Sequence, residues 1–151
     1  MGHLFESNVV LAADRAAVEA AILDMAAYPT WVDGVRAVEV RSTDASGRPI
    51  DVEFVIDTPI APLTYTVTYD YSEDGHIRWT LDHGQALTKF DGDYHLSGTD
   101  GAVHLDARVE LAINMPLPSA MIRQVGQSVI DRAITGLTRH VTKSSDGQEP
   151  S

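Results

Sequence analysis

Cysteine is absent from the 151 residues. That absence excludes disulfides, iron–sulfur clusters, thiolate zinc sites and every cysteine nucleophile. Basic residues are scarce: 11 lysines and arginines stand against 22 aspartates and glutamates, for a formal net charge of −11. An acidic surface repels phosphate backbones and anionic headgroups, so nucleic acid and membrane insertion are not expected. No apolar run is long enough to cross a bilayer. The opening MGHLFES lacks the charged-then-apolar order of a secretory leader, and Glu6 stands where a myristoylation motif wants Ser or Thr. A cytoplasmic location is the expectation. The sequence also lacks internal repeats, low-complexity tracts and interdomain linkers.

What remains is a chain of one-domain length with 44% hydrophobic residues, enough to bury a sizeable core without covalent staples. Residues 1–142 read as that domain; 143–151, polar and without periodicity, read as a disordered tail. FESNVVL alternates as an opening strand. Asp14 is placed to cap a helix with its carboxylate, and Val18, Ile22 and Met25 follow at helical spacing. YPTW begins a second short helical turn. From Val35 onward the period switches to two, with turns at DASG, TPIAP, EDG and TDG. The alternating sets are Val38–Val40, Ile50–Ile56, Leu63–Tyr71, Ile77–Leu81, Phe90–Leu96 and Val103–Ile113. They predict an antiparallel meander.

Beyond Pro116 and Pro118 the period becomes helical: Ile122, Val125, Val129, Ala133, Gly136 and Leu137 form one stripe. A helix of about 24 residues would be about 36 Å long. Gly126 and Gly136 each cost roughly 1 kcal/mol against alanine there, which points to close packing, a kink, or room for something other than protein. The fold class is therefore α+β: a seven-stranded curved antiparallel sheet, two short helices and a long carboxy-terminal helix to cover the apolar face. A curved sheet gripping one helix leaves a space suited to a ligand.

Particular words in the chain carry a resemblance. Leu11-Ala-Ala-Asp-Arg-Ala-Ala-Val18 leads to Asp24 and Tyr28-Pro29-Thr30-Trp31. Val35, Val38, Val40 and Phe90-x-Gly92-x-Tyr94-x-Leu96 then precede the long helix. The sequence resembles the polyketide cyclase/dehydrase group of the START and Bet v 1-like superfamily, near coenzyme Q-binding proteins. Asp14 departs from the proline frequent at that position, though both residues suit a helix start. The resemblance covers nearly the whole ordered chain and implies a helix-grip fold with a deep apolar cavity. It also implies a hydrophobic ligand such as a polyketide, quinone or lipid. Tyr28, Pro29 and Trp31 read as packing residues at a helix–strand corner.

Strand parity sorts the side chains. Phe54, Ile56, Tyr65, Val67, Trp79 and Leu105 share the inward face; Asp51, Glu53, Asp57, Arg78, Asp106, Arg108 and Glu110 share the outward one. His76, His95 and His104 follow the charged face, while His83 follows Ile77, Trp79 and Leu81 inward. His83 is thus a candidate proton donor or acceptor at a cavity mouth, or a turn residue. No histidine spacing suits a metal, no glycine-rich phosphate loop occurs and no serine elbow is present, so neither a metal nor a cofactor is expected. Tyr65, Tyr69 and Tyr71 share a face with Trp79 on the next strand, as core residues or as cavity lining.

Three functions stay open. In the first the chain binds a hydrophobic small molecule lined by Phe54, Ile56, Tyr65, Val67, Trp79, Leu81, Leu105, Met121 and Val125. The second is a cyclase or aromatase that folds a reactive chain into a near-attack shape, with His83 and Tyr65 handling protons. The third, which the resemblance supplies, is a protein-interaction or ribosome-associated toxin-like module.

Overall fold

A computed structural model describes residues 2–58 and 61–147. The elements run β1 (His3–Leu11), α1 (Arg15–Leu23), a single 3-10 turn (Met25–Ala27), α2 (Tyr28–Trp31), β2 (Val35–Val40), β3 (Asp51–Ile56), β4 (Leu63–Asp70), β5 (His76–Gly84), β6 (Leu87–Thr99), β7 (Ala102–Ile113) and α3 (Ser119–Gly147). All pairings are antiparallel, and the seven strands lie in the order β1-β7-β6-β5-β4-β3-β2. The expected meander is present. The opening strand closes it by pairing with the last one, His3 opposite Leu111 through Leu11 opposite Val103.

The sheet curls around α3. Register shifts at Val35/Ala37, Thr66/Val67 and Leu87/Lys89 place bulges in three ladders, and bulges add twist and bend. α3 buries Ile122, Val125, Gly126, Ile130, Ile134, Leu137 and Val141, a stripe at helical spacing. Its two glycines are close-packing sites. A Cβ on Gly126 would stand 2.3 Å from the Phe5 ring, and one on Gly136 would stand 2.9 Å from the Trp31 carbonyl oxygen. The helix is longer than its apolar stripe suggests, 29 residues, and includes 143–147 from the segment read as a tail; 148–151 lie outside the described residues.

The cap of α1 differs from the expectation. Asp14 occupies the N-cap position, and its carbonyl accepts from Val18 N at 3.0 Å, but its side chain makes no capping bond. The Asp100 carboxylate, in the β6–β7 turn, instead accepts from the backbone N–H of Arg15 at 3.1 Å. A carboxylate from a distant turn thus fills the role assigned to the local one. Asp100→Ala is expected to lower the urea midpoint more than Asp14→Ala does; the reverse ranking would restore the local cap.

Much of the outward face behaves as parity requires. His76 is not plainly exposed: its ring stacks on His95 with centroids 4.3 Å apart, and its Nδ1 lies 3.0 Å from the Asp93 carboxylate. Arg78 holds Glu73 at 2.5 Å, and that hydrogen bond lowers the Glu73 pKa from its ordinary value.

Candidate functional site

Between the concave sheet and α3 lies a cavity of about 100 Å³. It is walled chiefly by aromatic rings: Phe54 from β3, Tyr65 and Tyr69 from β4, Trp79 from β5, Phe90 and Tyr94 from β6, and Tyr28 and Trp31 from α2. Val129, Ala133, Ile134 and Leu137 of α3 close the opposite side. The rings hold one another: Phe54 stacks on Tyr65 at 5.5 Å, Phe90 meets Tyr65 edge-on at 4.9 Å, and Tyr94 meets Trp79 edge-on at 5.0 Å. Such offset and edge-to-face contacts add to the burial of each ring. A second space of about 20 Å³ lies toward the amino end of α3, lined by Phe5, Leu87, Val125 and Gly126 among others. Ile56, Tyr65, Phe90 and Val129 line both spaces.

The polar atoms in this apolar space are unevenly satisfied. The Tyr28 hydroxyl donates to the Ile22 carbonyl. The hydroxyls of Tyr65, Tyr69 and Tyr94 have no hydrogen-bond partner among the described residues, and the indole N–H groups of Trp31 and Trp79 are buried without one. Burial, the largest cause, pushes the phenols of Tyr65, Tyr69 and Tyr28 well above the ordinary tyrosine value, and that of Tyr94 up to about 12. At neutral pH they are therefore neutral donors, suited to holding an oxygen atom and poorly suited to giving up a proton.

The cavity's polar end carries Asp33, Gly34, Asp57 and Arg132. Asp57, assigned outward by parity, stands just past the end of β3, where alternation no longer governs it. Its backbone N–H donates to the Gly34 carbonyl at 2.6 Å, and its own carbonyl accepts from Arg132 Nη1 at 2.9 Å.

The residues proposed from sequence scatter. Phe54, Ile56, Tyr65, Val67 and Trp79 stand together on the wall. Leu105 is fully buried, but in the packed core opposite Val9 and Leu96, away from the cavity. Val125 lines the smaller space. Met121 is 41% exposed near the start of α3. Leu81 is half-buried and does not line the cavity: β5 and β6 pair only from His76 to Trp79, and beyond that Leu81 N donates to the Asp91 carboxylate at 3.0 Å. Tyr71 lies past the end of β4, where its hydroxyl donates to the Pro49 carbonyl at 2.5 Å and its ring lies under the Arg48 guanidinium.

His83 is also displaced. Thr66 pairs with His83 but Val67 pairs with Leu81, so the bulge at Asp82 reverses the alternation. His83 therefore faces solvent, 69% exposed beside Asp82, and cannot reach the cavity. Tyr28 and Trp31, read as corner packing, line the wall instead. Sequence reasoning passed over Phe90 and Tyr94 as lining although they share the parity of Gly92 and Leu96, and Arg132 gave no signal beside the apolar stripe. Among the described residues no group of three or more His, Asp or Glu side chains could hold a metal ion, and no helix is long and apolar enough to cross a membrane.

A structure of a START superfamily protein from Mycobacterium smegmatis superposes with a TM-score of 0.85 at 17% identity, covering 93% of this chain and 98% of the other. The Zhui aromatase/cyclase from Streptomyces sp. R1128 gives 0.81 at 12% identity, covering 95% of each chain. A protein from Thermus thermophilus gives 0.83 at 11% identity, covering 95% of this chain and 99% of the other. At such identities these likenesses speak for the fold. No curated protein sequence matches. The family model for polyketide cyclase/dehydrase and lipid transport matches residues 11–138, and the chain belongs to that family.

Proposed function

We propose that the protein binds an apolar small molecule bearing at least one oxygen, seated between the sheet and α3. The observation that carries this reading is the set of unpartnered donors inside an aromatic wall: the Tyr65, Tyr69 and Tyr94 hydroxyls and the Trp79 indole N–H. The indole N–H of Trp79, like that of Trp31, is fully buried, and such a donor without a partner costs on the order of 1–3 kcal/mol; a ligand oxygen recovers that cost while the rings supply apolar contact. The volume suits a molecule, or one end of a molecule, of about one ring: an engineered apolar cavity of about 150 Å³ takes benzene.

Ala133 lies on α3 facing the cavity, so Ala133→Trp would fill it from the wall opposite the sheet. Wild-type protein is expected to take up the neutral fluorophore N-phenyl-1-naphthylamine, and folded Ala133→Trp at least tenfold less. Equal uptake by both would remove this cavity from the proposal. Native mass spectrometry with organic extraction of co-purifying material then identifies the chemical class.

A second reading, cyclisation of a reactive polyketide by confinement, is favoured by the structural likeness to the aromatase/cyclase. The wall offers neutral tyrosines and no histidine, so such a reaction would rest on substrate shape. A poly-β-ketone thioester whose rate of cyclisation is the same with and without the protein would overturn it.

A further inference from the structure

We propose that the molecule bound here is a monoanionic amphiphile, with an apolar body among the aromatic rings and a carboxylate received by Arg132 at the mouth. The inference rests on the ligand-binding reading above and narrows it to organic acids. Arg132 is half-buried on α3 and lines the cavity. Its Nη1 donates to the Asp57 carbonyl at 2.9 Å, and the guanidinium lies so close to Gly34 that an added Cβ there would stand 2.5 Å from Nη1. The fork is thus fixed in place while most of its N–H groups have no acceptor among the described residues.

Charge pairing at the mouth leaves Arg132 over. Asp57 is held by Arg36 at 2.7 Å, and Asp33 lies 3.9 Å from Arg139. Among the described residues no carboxylate reaches Arg132 within ion-pair distance. Two carboxylates and three guanidiniums make a local surplus of one positive charge on a chain whose net charge is −11. A partly desolvated cation without a counter-charge is costly, and a ligand carboxylate removes that cost. The planar guanidinium matches a carboxylate through two parallel hydrogen bonds.

The surplus also selects between anions. One positive charge balances a carboxylate, whereas a phosphate dianion would bring a second negative charge toward Asp33 and Asp57. The overall acidity of the chain repels either anion at long range, but that repulsion is screened beyond about 8 Å at physiological salt. Contact at the mouth therefore decides the preference.

The test is equilibrium binding of three probes with the same single ring to the full chain: phenylacetate, its neutral amide, and phenyl phosphate. Wild-type protein is expected to bind the acetate at least tenfold more tightly than the amide and more tightly than the phosphate. Arg132→Gln should bind the acetate no better than the amide, and Arg132→Lys should keep part of the preference, a contrast that a purely structural role would not produce. Equal binding of acid and amide by wild type overturns the proposal and leaves the apolar cavity standing, as does binding of N-phenyl-1-naphthylamine with none of the three probes. Tighter binding of the phosphate overturns the assignment to a carboxylate. Failure of all four molecules to bind overturns the cavity reading itself.

Discussion

Gly92→Val is expected to destabilise the protein by about 3 kcal/mol, the upper end for overpacking a core, and to abolish uptake of apolar probes. Gly92 pairs with Trp79 across β5 and β6, and the indole lies directly over it. A Cβ at Gly92 would stand 2.0 Å from Trp79 Cζ2 and 2.4 Å from Cε2 and Cη2, distances at which the ring must leave. Its retreat is blocked on three sides, by Tyr94 at 5.0 Å and by Tyr69 and Phe90 each at 6.0 Å, so the open direction is the cavity. Stability and binding should therefore fail together. Urea unfolding of Gly92→Val, Trp79→Leu and the double variant checks this. Leucine vacates the space over residue 92, so valine should cost much less in the Trp79→Leu background, giving a coupling energy above about 1 kcal/mol. Additive effects would mean that the indole does not rest on the glycine.

The Trp79–Gly92 pair was half legible. The word Phe90-x-Gly92-x-Tyr94-x-Leu96 places a glycine among inward-facing residues, but only register brings Trp79 onto it. The same limit runs through the site. Alternation assigns Phe54, Tyr65 and Trp79 to a face because nothing interrupts the period between them and the turns. It fails at His83 because one extra residue at Asp82 reverses every side chain after it, and no residue type announces that bulge. It places Leu105 on the correct face yet says nothing of how far along the strand the cavity extends. Helical period identifies the buried stripe of α3, but a flanking residue such as Arg132 acquires its meaning from Asp57, 75 residues away in sequence, and from the still more distant Gly34. Asp100 illustrates the same point at the helix start: capping chemistry is readable, but which carboxylate supplies it is a matter of tertiary approach.

Alkaline titration should unfold the protein in one step as its tyrosines ionise. All five tyrosines, at 28, 65, 69, 71 and 94, have phenols raised above the ordinary value, with burial the largest cause for each. An unfolded chain releases these protons near pH 10, the unperturbed value, to within about a unit. Below that pH both states keep them and the stability is fully present. Above it the unfolded state binds fewer protons than the folded one, so stability falls as pH rises toward the folded values, Tyr94 being pushed up to about 12. Each unit by which a phenol is held up removes about 1.4 kcal/mol once passed, and a domain of this size has roughly 5–15 kcal/mol to lose. Tyr71 is raised by burial even though the Arg48 guanidinium against its ring favours the phenolate. Absorbance at 295 nm, followed together with far-ultraviolet circular dichroism, should show phenolate appearing with the loss of secondary structure, above pH 10. Phenolate forming at ordinary tyrosine values while the sheet signal persists would mean that water reaches the ring wall freely. A ligand that accepts hydrogen bonds from Tyr65, Tyr69 or Tyr94 binds only their protonated forms, so its presence should move the whole transition to higher pH. The shift then reports occupancy of this cavity without requiring that the ligand's identity be known.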